Sequence, residues 1–159
     1  LHNIQVIEAK NANKEDGVNI NGELVFAQPQ WLSWTRARPY VMASVNTAGD
    51  TSFAALGLTW KWNVAPGWAI EPSFGYAVHN GELENPFPPD QSAARQAFQD
   101  SHALMGSRDL FRSSLAISRD MGENWGLQLV YEHLSHGQIL GDGRNQGLDE
   151  LGVRVFWRY

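Results

Sequence analysis

The sequence predicts an all-β fold: an eight-stranded antiparallel transmembrane β-barrel with both chain termini on the periplasmic side. Three observations predict it. Apolar residues alternate with small or polar ones over long segments, which is the pattern of strands with one apolar face. Very short connections alternate with longer, more polar ones, as in bacterial outer-membrane barrels. The tryptophans cluster near the strand ends that the short connections join.

Turn residues and breaks in the alternation set the limits of each element in chain order. The predicted strands are 2–10, 17–28, 36–47, 51–64, 67–80, 106–121, 124–137 and 146–159. The connections expected on the periplasmic side are 29–35, 65–66 and 122–123, two of them very tight turns. The connections expected outside the cell are 11–16, 48–50, 81–105 and 138–145. An even number of strands returns the chain to the side where it began.

Tryptophan placement supports this topology independently of loop length. All seven tryptophans fall near the predicted periplasmic ends: Trp31, Trp34, Trp60, Trp62, Trp68, Trp125 and Trp157. Indole rings favour the interface between membrane and water, where an apolar ring and an N–H donor are both accommodated. The last residues, 156–159, also resemble the aromatic end of outer-membrane barrel proteins. The bacterial outer membrane is therefore the expected location.

Composition narrows the class of protein. A chain of 159 residues is expected to form one domain, 1–159. The net charge of -5 argues against nucleic-acid binding, which needs clustered Lys and Arg. With no cysteine, a thiolate zinc site and a cysteine nucleophile are excluded. Because Leu1 and not Met begins the sequence, we expect a mature form from which a secretion signal was removed.

The segment 81–105 is the longest irregular stretch and is predicted to be an extracellular loop. Pro86, Pro88 and Pro89 favour an extended backbone, and 92–105 is predicted to contain a short surface helix. A loop of this length is usually either functional or disordered, and the sequence leaves both open.

Charged residues at inward positions predict a buried ion-pair network in the barrel interior, because unpaired charge there is costly. Its expected members are Glu71, Glu132, Glu150, Arg112 and Arg154. His136 is also predicted to face inward, bonded to Glu132 or Glu150. These residues are assigned a structural role.

One cluster of polar residues falls on the outward, apolar face of the last two strands. His133 and Ser135 are two residues apart, so they point to the same side as Leu129. Asp149 has the same outward parity on the neighbouring antiparallel strand, so it is expected beside His133. Ionisable groups on a lipid-facing surface cost least near the interface, where these residues are expected. The arrangement predicts a nucleophile, a base and an orienting acid.

The pattern H-x-S on one strand, followed by N-x-G-x-acid on the next, resembles the PagL-type lipid A 3-O-deacylases, also described as acyloxyacyl hydrolases. The resemblance covers the chain in architecture, and in motif chiefly 133–149. It implies an eight-stranded barrel that removes an ester-linked acyl chain from lipid A (lipopolysaccharide) without a metal or cofactor. By motif position, Ser135 is the nucleophile, His133 the general base and Asp149 the acid.

Two positions depart from the family pattern. Family members often carry Asn directly after the serine, where it contributes to the oxyanion hole, and His136 stands here. A neutral imidazole N–H of His136 or the backbone N–H of Gly137 would replace it, with Asn145 as a further support. The acid is commonly Glu in the family. Asp149 is preferred here over Glu150, which alternation places inside the barrel.

Two other functions remain open at the level of sequence. A non-catalytic outer-membrane barrel of this fold would anchor or stabilise a larger envelope assembly, with an envelope protein as partner and 81–105 as the contact. A soluble, lipocalin-like carrier is less favoured, because the tryptophan rim and the polar interior fit it poorly.

Overall fold

The computed structural model describes residues 14–142 and 144–159, and the strand predicted at 2–10 lies outside this part of the chain. The fold is all-β. Its strands are β1 (Asn19–Val25), β2 (Arg38–Asn46), β3 (Phe53–Thr59), β4 (Trp62–Ala65), β5 (Trp68–His79), β6 (Asp109–Asp120), β7 (Trp125–Ser135) and β8 (Leu148–Trp157). A 3-10 helix at Gln30–Thr35 and one α-helix, α1 (Ser92–Ser101), complete the elements.

All strands belong to one antiparallel sheet in the order β1-β2-β3-β5-β6-β7-β8, and β4 pairs with β5 beside this path. The sheet is strongly curled, as contacts between its first and last described strands show. Their side chains meet across the concave side. Asn19 Nδ2 of β1 donates to Glu150 Oε1 of β8 at 2.5 Å. Arg154 Nη1 of β8 lies 3.2 Å from Glu23 Oε1 of β1. The predicted all-β, antiparallel class is confirmed.

One predicted element is wrong: 51–64 is not a single strand but the separate strands β3 and β4, both paired with β5. The break lies opposite Pro72, which has no N–H to donate to the ladder. At this position only one of the two backbone hydrogen bonds of a regular pair can form. It is the bond from Trp60 N–H to Pro72 O, at 2.9 Å. A register shift between Asn63 and Ala65 further separates β4 from the regular ladder.

Alternation along the strands divides the side chains into two sets, called here the outer face (convex and exposed) and the inner face (concave and buried). Large apolar side chains cover the outer face; examples are Leu129, Val153 and Val155, which are 50%, 75% and 69% exposed. The inner face is polar along the middle of the strands. Toward one edge, however, it is apolar, in a cluster of Tyr40, Met42, Phe53, Ala55, Ala77, Ala103, Met105, Leu110, Leu134 and Leu148. The interior, which the sequence predicts to be polar, is therefore apolar at this edge.

The long segment between β5 and β6 supplies part of that apolar cluster through Ala103 and Met105. Backbone bonds from Met105 N–H to Glu82 O (2.9 Å) and from Gly106 N–H to Leu83 O (3.0 Å) fold the segment back on itself. The surface helix predicted within 92–105 is observed as α1, which has no buried residue. No helix in residues 14–142 and 144–159 is long and apolar enough to cross a membrane.

The strand ends form two opposite edges of the sheet, and these edges differ in composition. All seven tryptophans lie at or beside the edge that carries the connections 26–37, 66–67 and 121–124 and the end of β8. Most are well exposed, with Trp34 the most exposed at 84%. The connections 47–52, 80–108 and 136–147 lie at the opposite edge. The term "loop edge" is used below for that side.

Candidate active site

The candidate site lies where β7 and β8 approach the loop edge. Residues of β7 are exposed or half-buried at odd positions and buried at even ones. His133 and Ser135 therefore belong to the same outer-face set as Leu129. In the β7–β8 ladder His133 is the direct partner of Asp149. The single connection 136–147 makes β7 and β8 neighbours and brings a residue of each strand into lateral contact.

His133 and Asp149 form a close, directed contact. His133 Nδ1 lies 2.7 Å from Asp149 Oδ1, and the two side chains are 17% and 1% exposed. An ionised carboxylate can only accept, so the proton of a neutral imidazole in this contact resides on Nδ1. The Nε2 lone pair is then left to accept a proton from a neighbouring group. This is the arrangement of a base held by an acid.

Ser135 is the last residue of β7 and lies half-buried on the outer-face side. Its partner on β6 is Phe111, and the partner of His133 is Ser113. Among the described residues, the hydrogen bonds of His133 include the one to Asp149 but none to Ser135. The structure therefore brings two of the three predicted residues into contact and the third onto the same face, two positions away.

The connection after Ser135 turns immediately. Gly137 and Gln138 both have left-handed backbones, with φ of 61° and 57°. The carbonyl of His136 accepts from the N–H groups of Ile139 (3.1 Å) and Leu140 (3.0 Å), which closes the turn. Asn145 Oδ1 accepts from the backbone N–H of His136 at 3.2 Å. An amide that accepts through its oxygen still carries two N–H donors on Nδ2.

The prediction for His136 is wrong in its partners. The ring is fully buried, but it contacts neither Glu132 nor Glu150 through the hydrogen bonds of the described residues. Its Nδ1 accepts from Gln138 N–H at 3.2 Å, so Nε2 carries the proton and donates to Arg144 O at 3.3 Å. The ring thus ties the two ends of the connection together. The error arose because strand alternation was extended one residue beyond the end of β7.

The inner face carries the predicted ion pairs, in a ring of residues from β1, β6, β7 and β8. Arg112 Nε lies 2.6 Å from Glu132 Oε2, and Arg154 Nη2 lies 3.0 Å from Glu132 Oε1. Glu23, which sequence reasoning did not assign to the network, joins both arginines at 3.5 Å and 3.2 Å. Four charges therefore alternate in sign around one buried ring. The side chains of Arg112 and Glu132 are 0% and 3% exposed.

Two other predicted members lie outside that ring. Glu71 belongs to a separate group nearer the tryptophan edge, with Arg38 at 3.6 Å and Lys61 at 3.7 Å. Glu150 lies on the inner face and accepts from Asn19. The inward position predicted for Glu150 is confirmed, and the carboxylate that contacts His133 is that of Asp149.

Tyr131 is a contact that sequence reasoning missed. Its hydroxyl donates to Asp149 Oδ1 at 2.8 Å, from a position diagonal to Asp149 in the ladder. The available signal was its place two residues before His133 on the outer face. Within residues 14–142 and 144–159, no three histidine or carboxylate side chains cluster in a way that could hold a metal ion.

Comparison with known proteins identifies the family. The family model of the lipid A 3-O-deacylases (PagL) matches residues 14–158, almost the whole chain. No curated protein and no solved structure matches the chain. The family comprises ester hydrolases that act on lipid A, and the β-rich, curled sheet agrees with its fold. On this evidence the chain belongs to the lipid A 3-O-deacylase (PagL) family.

Proposed function

We propose that the protein is an outer-membrane esterase that removes an ester-linked acyl chain from lipid A by a Ser-His-Asp mechanism on the outer face. The single observation that carries this proposal is the 2.7 Å contact between His133 and Asp149 on an apolar, exposed face, with Ser135 on the same side. The family match gives the substrate class. A charged pair is costly on such a face, which favours a chemical role for it.

In the proposed reaction, the Ser135 hydroxyl attacks the ester carbonyl while His133 Nε2 takes its proton. Asp149 stabilises the imidazolium that forms. The tetrahedral intermediate collapses with cleavage of the ester C–O bond. His133 gives the proton to the departing sugar oxygen, which leaves as a hydroxyl. Water, activated by the same imidazole, then hydrolyses the acyl-serine and releases the fatty acid. No metal or redox step is needed to balance these bonds and protons.

The oxyanion of the tetrahedral intermediate needs donors close to Ser135. Both ring nitrogens of His136 are engaged within the connection. We therefore assign the support to the Nδ2 amide of Asn145 and the backbone N–H of Gly137. Asn145 is oriented by its bond from His136 N–H. In this assignment the buried ring of His136 holds the turn in place without donating to the oxyanion.

The acyl chain has an apolar surface beside the nucleophile. Phe111 is the cross-strand neighbour of Ser135, and its ring stacks on Phe74 with the centroids 5.6 Å apart. Phe74 is 52% exposed on the outer face. In a membrane these rings offer a continuous apolar contact for a chain whose ester lies near the headgroups.

We further propose that the chain forms one domain, 1–159, a closed barrel with periplasmic termini in the bacterial outer membrane. Seven tryptophans at one edge and exposed aliphatic side chains between the edges fit a membrane-spanning belt. The 81–105 segment is then an extracellular loop. His133, Ser135 and Asp149 lie near the loop edge, level with the outer leaflet, and the substrate reaches them by lateral diffusion.

The test compares two serines that flank His133. Lipid A from cells that express the wild-type protein, Ser135→Ala or Ser113→Ala is analysed by mass spectrometry, with equal amounts of folded protein verified in the membrane fraction. Wild type and Ser113→Ala should both release a fatty acid. Ser135→Ala should lose activity by about 10³-fold or more. An active Ser135→Ala protein would refute the assignment, and an inactive Ser113→Ala protein would move the nucleophile to β6.

A further inference from the structure

Asp149 is held by two donors from the same neighbouring strand. His133 Nδ1 and the Tyr131 hydroxyl both lie within 2.8 Å of the same oxygen, Oδ1. One donor sits directly opposite Asp149 in the ladder and the other sits diagonally. A direct and a diagonal cross-strand neighbour are both within reach of a long side chain. The carboxylate is therefore fixed from two directions.

Tyr131 also donates to an unusually buried carboxylate. Asp149 has the outer-face parity of Val153 and Val155, which are 75% and 69% exposed, yet it is only 1% exposed itself. A carboxylate removed from water stays ionised only if donors replace its lost solvation. The phenol supplies such a donor while its ring presents an apolar surface outward.

We propose that Tyr131 is a positioning residue that acts through Asp149. Its hydroxyl keeps the carboxylate aimed at His133 Nδ1, so that Nε2 is left to take the proton of Ser135. This inference rests on the proposed function and deepens it, since the hydroxyl of Tyr131 bonds to the proposed acid and acts through it. It adds a fourth residue to the proposed Ser-His-Asp triad, in the spatial order Tyr131, Asp149, His133 and Ser135.

The structure provides a matched comparison. Tyr76 also donates its hydroxyl to an aspartate, Asp109, on the outer face near the loop edge. This pair joins β5 and β6, and Tyr76 lies two strands away from His133. Removal of the Tyr76 hydroxyl therefore reproduces the loss of a surface Tyr–Asp bond without touching the acid of the site.

The first experiment measures kcat and KM on purified full-length protein with lipopolysaccharide in mixed micelles. Tyr131→Phe should lower kcat by about tenfold or more, the range expected when a bond to a charged group is lost, and KM should stay within about twofold. Tyr76→Phe should match wild type in both constants. Thermal unfolding of each variant confirms that equal amounts of folded enzyme are compared. A Tyr131→Phe enzyme with wild-type kcat overturns the proposal.

A second experiment separates action through Asp149 from a general packing effect. In histidine-¹⁵N-labelled protein, the Nδ1–H proton resonance of His133 should shift in Tyr131→Phe and stay in place in Tyr76→Phe. An unmoved resonance overturns the proposal even if kcat falls. Where Asp149→Asn retains measurable turnover, adding Tyr131→Phe should cause no further loss, and a full additional loss argues against coupling. Ser135→Ala is run alongside. Its activity decides the proposed function, whereas the kcat and resonance of Tyr131→Phe decide the role of the phenol.

Discussion

Two polar clusters lie on opposite faces of the sheet at β7 and β8, and they differ in how their members are paired. The inner-face cluster also includes one residue from β6 and one from β1. On the inner face, Arg112, Glu132, Arg154 and Glu23 alternate in sign, and each charge contacts two of the opposite sign. On the outer face, His133 engages the acid through Nδ1, and its Nε2 is oriented away from that bond. In the inner-face network every charge is already paired, which suits a structural role. The imidazole of His133 is bonded to the acid through Nδ1, so its Nε2 can accept a proton.

The two clusters use residues that are adjacent in sequence. Glu132 and His133 are neighbours on β7, and Asp149 and Glu150 are neighbours on β8. Strand alternation alone sends one of each pair inward and the other outward. Residue type therefore does not distinguish the proposed catalytic acid from its neighbour on β8. The face on which each side chain lies does.

The largest expected effect is on activity and compares the two adjacent acids of β8. Asp149→Asn should reduce kcat by about 10³- to 10⁴-fold, because an amide cannot stabilise the imidazolium and favours the wrong tautomer of His133. Glu150→Gln removes an inner-face charge that accepts from Asn19, and it should leave kcat within about threefold. Steady-state assays on folded, purified protein check both. Equal losses in the two variants would contradict the division between faces.

The second prediction concerns stability and reverses the pattern. Glu132→Ala leaves the fully buried Arg112 with only the more distant Glu23 as an acidic partner at 3.5 Å. Breaking a buried pair from one side costs about 3–5 kcal/mol in the free energy of unfolding. Urea unfolding in lipid vesicles measures this loss. The kcat of the molecules that remain folded should be unchanged, and a fall in kcat without a loss of stability would place Glu132 in the active site.

Much of this comparison follows from sequence, for a simple reason. Period-two alternation assigns His133, Ser135 and Asp149 to one face, and a single connection makes their strands neighbours, so their proximity is predictable. Residues whose partners come from the curl of the sheet are not predictable in this way. Glu23 reaches Arg112 and Arg154 across the interior, and sequence separation carries no information about that distance.

Irregular backbone limits the prediction elsewhere. The connection 136–147 has no period, so the bonds of His136 to Gln138 and Arg144 have no sequence signature. The ladder break at Pro72 was readable in principle, because proline lacks the N–H that a paired strand needs, but a single proline does not say where the partner strand splits. The Tyr131–Asp149 bond depends on rotamers as well as parity.

The third prediction tests the oxyanion support with two substitutions of Asn145. Asn145→Ala removes both the donor and the acceptor that holds His136 N–H. Asn145→Asp keeps an acceptor oxygen for His136 N–H and replaces the amide donor with a negatively charged carboxylate. If the amide stabilises the oxyanion, both variants should lose about 10²- to 10³-fold in kcat. If Asn145 only holds the connection, Asn145→Asp retains near-wild-type turnover in the same assay, and this outcome would remove Asn145 from the oxyanion hole.

The smallest expected effect concerns the outer face away from the site. Leu129 lies on the same face of β7 as His133, four residues nearer the tryptophan edge, and is 50% exposed. If this face contacts water, Leu129→Arg changes the free energy of unfolding by no more than about 0.5 kcal/mol. If it contacts the hydrocarbon core, the same substitution costs about 2–4 kcal/mol. Unfolding in vesicles distinguishes the two values.

A matched substitution at Val45, toward the loop edge of β2, should cost only about 0–1 kcal/mol because the penalty falls near the interface. A larger loss in the free energy of unfolding at Leu129 than at Val45 would show that the cost of a charge falls toward the loop edge. His133 and Asp149 would then lie where polar side chains on a lipid-facing surface destabilise the fold least.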